Sequence, residues 1–303
     1  MSAAKIALLA VIAALSAVFF AQWLSVARRR KLRERPSWSD LGIGLLTNFG
    51  DALGIGSYAT TTALYKFRGR PSDELIPGTL TVGSVSVGLA ETFIFVTLIT
   101  VDPKLLLTMV ASATAGAWLG AGIVSRMRRR SIQLFMGAAL LIAAASFVMG
   151  NLGAFPVGGA ALSLSGWRFL AAVAANFILG ALSTIGIGWY APTMVVLALL
   201  GFNLRAAFPI MMGSGGVMLP VAGVRFLRSG RFAWGPALGF ATAGVAGVLI
   251  AAFIVKRLPM HTLSWLVAAV VTYAAVAMLR SAHRERAGEG GASGAHIKSQ
   301  GVL

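Results

Sequence analysis

Two short segments rich in glycine and hydroxyl side chains hold the groups best suited to binding a small anion. Gly54–Thr61 and Gly186–Thr193 both begin Gly-Ile-Gly and continue through Tyr-Ala to Thr, 132 positions apart. Glycine lets a backbone approach a ligand closely, and the N-terminus of an interrupted helix binds oxyanions without a formal cation. The candidate binding residues are Gly54, Gly56, Ser57, Tyr58, Thr60, Thr61, Gly186, Gly188, Tyr190 and Thr193. For the two tyrosines, packing or anchoring at a membrane interface is the alternative.

Two carboxylic acids are candidates for proton coupling. Asp51 and Glu91 are the only acids inside apolar segments long enough to span a membrane, where an ionisable side chain is costly and a functional candidate. Asp51 could carry a proton or cap a helix, and Ser183 stands at its equivalent position in the second copy. Glu91 could carry a proton or pair with an arginine, and its equivalent is Gly223.

The composition predicts an integral membrane protein. Of 303 residues, 57% are hydrophobic and only 12% are charged, about half the charged share of soluble domains. The net charge of +17 comes from short basic clusters between apolar runs, which is typical of cytoplasmic loops rather than of nucleic-acid binding. The chain has no cysteine, and its three histidines show no ligand spacing, so we predict no metal and no cofactor.

The apolar runs predict an all-α polytopic fold with about seven transmembrane helices. The first run is interpreted as a retained helix, with a cleaved signal peptide as the alternative. The predicted crossings are 4–26, 77–100, 104–125, 132–150, 207–224, 234–255 and 262–279. The motif segments, 40–66 and 167–200, contain too many glycines for continuous helices and are predicted to be broken.

The basic clusters decide how the motif segments enter the membrane. If each segment crossed once, the largest clusters, Arg28–Arg35 and Arg126–Arg130, would lie on opposite sides. If each segment instead enters and leaves on one side, both clusters are cytoplasmic and the uncharged loop 151–165 is outside. Only Lys256 and Arg257 then contradict the bias. We therefore predict two re-entrant broken helices within inverted repeats.

This topology divides the chain into four parts. The predicted parts are a first transmembrane repeat (1–130), a second repeat (131–258), an additional C-terminal helix (259–281) and a disordered cytoplasmic tail (282–303). Inverted repeats with interrupted helices are typical of secondary transporters, which bind substrate where the repeats meet. The alternative is a duplicated scaffold whose glycines only allow close helix packing.

The motif segments also resemble a known family. Residues 51–63 resemble the first signature of the TauE/SafE sulfite exporter family, the toluenesulfonate uptake permeases, and Tyr190–Thr193 resembles its counterpart in the second half. Residues 252–259 are similar to the end of that family's penultimate span. The resemblance covers roughly residues 40–280. It implies transport of sulfur-containing anions, such as sulfite, sulfoacetate or other organosulfonates, across the bacterial inner membrane.

The function predicted from the sequence is therefore transport rather than catalysis. The chain has no Ser/His/Asp set, and its glycine-rich segment at 213–216 lacks the lysine of a phosphate-binding loop. The expected partners are a small anion and the lipid bilayer, with coupling to protons and with homodimer formation left open. An anion channel, or a permease for another small organic anion, is the alternative.

Overall fold

The computed structural model describes residues 3–30, 34–52, 56–98, 101–154, 158–186, 188–253, 265, 268–269 and 271–284. Among the earlier predictions, Gly54, the Lys256–Arg257 pair and the tail from 285 lie outside these residues. The helices are α1 (Ala3–Arg29), α2 (Trp38–Ala52), α3 (Ser57–Arg68), α4 (Ile76–Leu98), α5 (Pro103–Val124), α6 (Arg129–Asn151), α7 (Gly166–Ser183), α8 (Tyr190–Leu199), α9 (Leu204–Ser229), α10 (Trp234–Phe253) and α11 (271–284). A short 3₁₀ turn, Asp73–Leu75, precedes α4.

The predicted all-α membrane fold is confirmed. Within the described ranges, six helices are long and apolar enough to cross a bilayer, namely α1, α5, α6, α7, α9 and α10. Helix α4 is 23 residues long, about 35 Å. The predicted division into four parts stays a prediction, and α11 continues to residue 284, past the predicted start of the tail at 282.

The helices repeat in the same order in the two halves of the chain. Helices α1 to α5 correspond to α6 to α10, and in both halves a break separates the second helix from the third. The halves pack against each other: α2 lies on α10, α7 lies on α5, and α4 lies on α9. Glycines allow several of these close approaches, since a Cβ on Gly44 would lie 2.8 Å from the Gly239 carbonyl oxygen.

Helices α2 and α3 form a re-entrant hairpin. Ser57 Oγ donates to Asp51 Oδ2 (2.6 Å), and Thr61 Oγ1 donates to Thr47 Oγ1 (2.9 Å). At the open end of the hairpin, Arg68 forms an ion pair with Asp40. In each of the three pairs, the two residues are equally far from position 54 along the sequence. This is the pairing expected when two helices run antiparallel from a turn at that position. The segment therefore enters and leaves at one end of the molecule.

Helices α7 and α8 form the second hairpin. Helix α7 is 18 residues long, about 27 Å. Although the whole of α7 and α8 separates them along the chain, Arg168 near the start of α7 lies close to Gly201 just after α8. Ala161, in the loop before α7, accepts a hydrogen bond from the Asn203 backbone N–H (2.8 Å). The start of α7 and the end of α8 therefore lie at the same end of the molecule.

The two hairpins open at opposite ends. One end of the molecule, which we call the basic end, holds the open end of the first hairpin and the basic cluster Arg126–Arg130. There, Gln133 at the start of α6 donates to Asp73 beside the first hairpin (2.7 Å). At the same end, Arg231 Nη2 donates to the Met127 carbonyl (2.6 Å). At the opposite end, Lys104 at the start of α5 lies 5.7 Å from the ring of Phe169 near the start of α7. This opposed arrangement is the one predicted from the basic clusters.

Cysteine labelling is expected to distinguish the two ends in intact cells. The chain contains no cysteine, so single substitutions give a clean signal. Arg126→Cys, at the basic end, and Ser163→Cys, in the loop before α7, are both at exposed positions. A membrane-impermeant maleimide added outside should label Ser163→Cys and leave Arg126→Cys unlabelled until the cells are opened. Labelling of both from one side would contradict the opposed hairpins.

Candidate functional site

The tips of the two hairpins meet at one cavity of about 230 Å³. Helices α4, α6 and α9 complete its walls. Its polar lining residues are Asn48, Asp51, Ser57, Tyr58, Ser84, Glu91, Ser146, Ser183, Trp189 and Tyr190. The cavity therefore draws on both halves of the chain, as the repeat predicts for a binding site.

The motif glycines at the cavity do not serve helix packing. A Cβ placed on Gly56 or Gly188 would meet no atom within 4 Å, and both residues line the cavity. Gly56 has φ of 83°, a conformation that favours glycine, and it forms the N-cap of α3. Glycine at these two positions thus leaves space beside the hairpin tips. This observation argues against the scaffold alternative, in which the motif glycines would lie against neighbouring backbone.

The hairpin tips offer backbone donors. The N-cap residues of α3 and α8 are Gly56, which has no side chain, and Trp189, and neither makes a side-chain hydrogen bond to its helix. The N-termini near Ser57 and Tyr190 lie at the edge of the cavity, where the Ser57 backbone N–H faces the Asp51 carboxylate. The C-termini of α2 and α7, with their partial negative charge, lie at the same hairpin tips as the N-termini of α3 and α8, with their partial positive charge. The two partial charges largely cancel at each tip. Local N–H donors, rather than a net helix dipole, are the groups these tips present to a ligand.

Asp51 joins the two arms of the first hairpin at the cavity. Its side chain accepts the Ser57 hydroxyl through Oδ2 and is 6% exposed. The other carboxyl oxygen, Oδ1, is buried without a hydrogen-bond partner. Its equivalent, Ser183, donates instead to the Gly180 carbonyl within its own helix (2.7 Å). The two positions are thus not equivalent caps, although both residue types are good helix caps and the sequence favoured that interpretation.

Glu91 and Tyr190 connect the two halves across the cavity. Tyr190 Oη, at the start of α8, donates to Glu91 Oε2 on α4 (2.7 Å). Glu91 is 1% exposed, and its Oε1 atom is buried without a hydrogen-bond partner. Among the described residues, no lysine or arginine forms an ion pair with Glu91, so the salt-bridge alternative is not what the structure contains.

Four of the predicted binding residues lie behind the cavity wall. Thr60 donates to the Gly56 and Ser57 carbonyls, Thr61 donates to Thr47, and Thr193 Oγ1 donates to the Trp189 carbonyl (2.9 Å). These hydroxyl groups are used inside the hairpins, as serine and threonine side chains in helices often are. Gly186 (φ 98°) faces Met136 rather than the cavity. Gly56, Ser57, Tyr58, Gly188 and Tyr190 do line it.

Several lining residues were not predicted. Asn48 lies one helical turn before Asp51, and its Oδ1 atom is also buried without a partner. Its polarity within an apolar segment was an available signal. Helix α6 supplies a wall that runs from Ala139 to Gly150, and nothing in the motif copies indicated it.

The cavity contains acids and no base. No lysine, arginine or histidine is among its lining residues in the described part of the chain, whereas Asp51 and Glu91 both are. Within the same ranges, no group of three or more acidic or histidine side chains is placed to hold a metal ion. The chemistry available to a ligand is therefore hydrogen bonding to hydroxyls, backbone N–H groups and two carboxyl groups.

Comparison with known proteins finds a similarity in the first half of the chain. Residues 2–147, just under half of the sequence, match the family model described as sulfite exporter TauE/SafE. The match covers α1 to α5 and most of α6, so it includes the first hairpin, Asp51 and Glu91. No curated protein and no solved structure matches the chain.

Proposed function

Because residues 2–147 match the family model of the sulfite exporter TauE/SafE family, we propose a specific transport function. The protein is a secondary transporter that moves small sulfur-containing anions, sulfite or an organosulfonate such as sulfoacetate, across the bacterial inner membrane together with protons. The family is one of membrane transporters, not of enzymes. The observation that carries the proposal is the cavity where the two opposed hairpins meet.

The size of the cavity suits a small solute. Its volume is about 230 Å³. Sulfite or a short sulfonate fits within this volume, whereas drug-sized ligands occupy pockets of about 300–1,000 Å³. Apolar residues on the α6 and α9 walls, including Ile142 and Met218, leave room for the short carbon chain of an organosulfonate.

The donors in the cavity suit an oxyanion. Tyr58 and Ser84 supply hydroxyl groups near the N-termini of α3 and α8, whereas the Ser57 hydroxyl donates to Asp51. Sulfonate and sulfite oxygens accept hydrogen bonds from such groups, and a buried polar ligand must be paired in this way to offset its lost hydration.

Opposed hairpins at a central site favour a carrier over a channel. In secondary transporters with inverted repeats, one repeat rocks against the other around a fixed site. Here Glu91 and Tyr190 join the halves at the cavity, and a hydrogen bond from Gln133 to Asp73 joins them at the basic end. A carrier should saturate with substrate and show counterflow, whereas a channel should do neither.

Reconstitution tests the proposal directly. Purified protein in liposomes is expected to take up labelled sulfite or short organosulfonates saturably, and uptake should increase when the outside is made acidic. Gly188→Val should reduce uptake at least about tenfold, because its side chain would occupy the space beside the second hairpin tip.

Gly42→Val is the matched control. Gly42 likewise has no atom within 4 Å of a Cβ, but it does not line the cavity, so uptake should persist. Absence of uptake for every sulfur oxyanion, with the protein folded and correctly inserted, would refute the substrate class. Uptake without saturation would favour the channel.

A further inference from the structure

We infer that each transport cycle carries two protons with one anion, one proton on Asp51 and one on Glu91. The inference rests on the proposed function and concerns the same cavity. It follows from the charge of the cavity, from the hydrogen bonds of the two carboxyl groups and from the places where the neighbouring cations are bound.

Both carboxyl groups have the same pattern of contacts. Asp51 Oδ2 accepts from Ser57, and Glu91 Oε2 accepts from Tyr190. The second oxygen of each group is buried and has no hydrogen-bond partner. A proton on that oxygen would turn an unpaired acceptor into a donor. Protonation would thus provide two further donors in a cavity that receives an anion.

The neighbouring cations are bound elsewhere. On α3, Lys66 binds Asp73 and Arg68 binds Asp40, both at the basic end. On α9, Arg225 stacks on the ring of Trp118, 3.8 Å from its centroid. Helix α10, which packs on α2 and α4, contains no charged residue. The other titratable groups that line the cavity are the phenols Tyr58 and Tyr190, which are neutral donors.

Like-charge repulsion therefore sets the number of protons. An anion bound beside two ionised carboxylates would place at least three negative charges in one water-poor cavity without a counter-charge. Neutralising only one acid would still leave the anion beside a carboxylate. Two protons, taken up with the anion on one side and released with it on the other, remove both repulsions.

The repeat makes this coupling asymmetric. The equivalents of Asp51 and Glu91 in the second half are Ser183 and Gly223, which carry no proton. Both proton sites thus belong to the first half, and the second half contributes Tyr190 as the hydrogen-bond partner of Glu91.

The stoichiometry can be measured in proteoliposomes with a short alkylsulfonate, which stays a monoanion over the whole pH range used. With two protons, uptake moves a net positive charge, so an inside-negative potential should accelerate it. At zero potential, each unit of pH gradient should support about 100-fold accumulation, against about 10-fold for one proton.

A variant of Asp51 tests whether this residue carries one of the two protons. Asp51→Asn still accepts from Ser57 but takes no proton, so accumulation should fall to about 10-fold per pH unit and lose its response to potential. The matched control is Asp102→Asn, at the half-buried N-cap of α5 and outside the cavity lining, which should keep the wild-type ratio.

A wild-type ratio of about 10-fold with no response to potential would overturn the inference while leaving the transport function intact. Uptake driven by a sodium gradient instead of a proton gradient would overturn it as well. Absence of transport for all sulfur anions would overturn both the inference and the proposed function.

Discussion

Replacing Asp51 by Asn and Glu91 by Gln together is expected to uncouple the transporter completely. The new side chains have nearly the same shape and can still accept from Ser57 and Tyr190, so the hairpin and the contact between the halves should persist. Neither can take up a proton. Accumulation driven by a pH gradient should therefore disappear, a loss of about 100-fold per pH unit relative to wild type.

The double variant should also reverse the response to membrane potential. An alkylsulfonate that crosses alone carries a net negative charge, so uptake should be fastest when the inside is positive. Counterflow of labelled against unlabelled substrate should remain measurable, because exchange requires no net proton movement.

The control is the pair Glu34→Gln and Asp102→Asn, two acids at positions away from the cavity. This pair should retain gradient-driven uptake. If the cavity variant still concentrated substrate with a pH gradient, the protons would have to travel on other groups, and the role assigned to these carboxyl groups would be wrong.

The broad architecture was accessible from the sequence because the charges and glycines that encode it are local signals. The basic clusters at Arg28–Arg35 and Arg126–Arg130 required motif segments that return to the side they entered from. The paired glycines marked where the helices break. The structure contains these breaks, with α2 ending at Ala52 and α3 beginning at Ser57.

The cavity lining was only partly accessible, because a motif does not say which side of a short helix faces the ligand. Ser57 and Tyr58, in the first turn of α3, line the cavity. Thr60 and Thr61 lie a turn further along, where their hydroxyl groups bond to the hairpin itself. If the sequence had shown that α3 begins at Ser57, the helical period would have placed Ser57 and Tyr58 in the first turn and Thr60 and Thr61 in the second. The sequence did not show where the helix begins.

Contacts between distant parts of the chain could not be predicted at all. Tyr190 and Glu91 are 99 positions apart and have no repeat relationship, since the equivalent of Glu91 is Gly223. Helix α6 lines the cavity although its counterpart α1 does not. Such pairings depend on how the two halves pack, which no single segment encodes.

The second large effect is expected at Asp73, which connects the two halves at the basic end. Its carboxylate accepts from Lys66 Nζ at the end of the first hairpin and from Gln133 Nε2 at the start of α6, each at 2.7 Å. Arg129 Nη2 lies 3.8 Å away, and Lys66 also donates to Ser281 of α11 (3.0 Å). One buried carboxylate thus connects elements of both halves.

The cavity extends away from this cluster. Its wall on α6 continues from Ala139 to Gly150, about 17 Å along the helix, toward the end opposite Asp73. We expect the contacts around Asp73 to separate when the transporter opens to the basic side. Asp73→Asn removes the charge from two hydrogen bonds, each worth about 1.5–3 kcal/mol when a charged group takes part.

Even a loss of about 1.4 kcal/mol would increase the population open to the basic side about tenfold. A cysteine at Ser84, inside the cavity, reports on that population. In inverted membrane vesicles, Ser84→Cys should react with an impermeant maleimide about tenfold faster when combined with Asp73→Asn. Combined with Asp102→Asn, at the other end of the molecule, it should react at the rate of Ser84→Cys alone. Equal rates in both combinations would show that the Asp73 contacts do not limit access, and the connection between the halves would then have to open elsewhere.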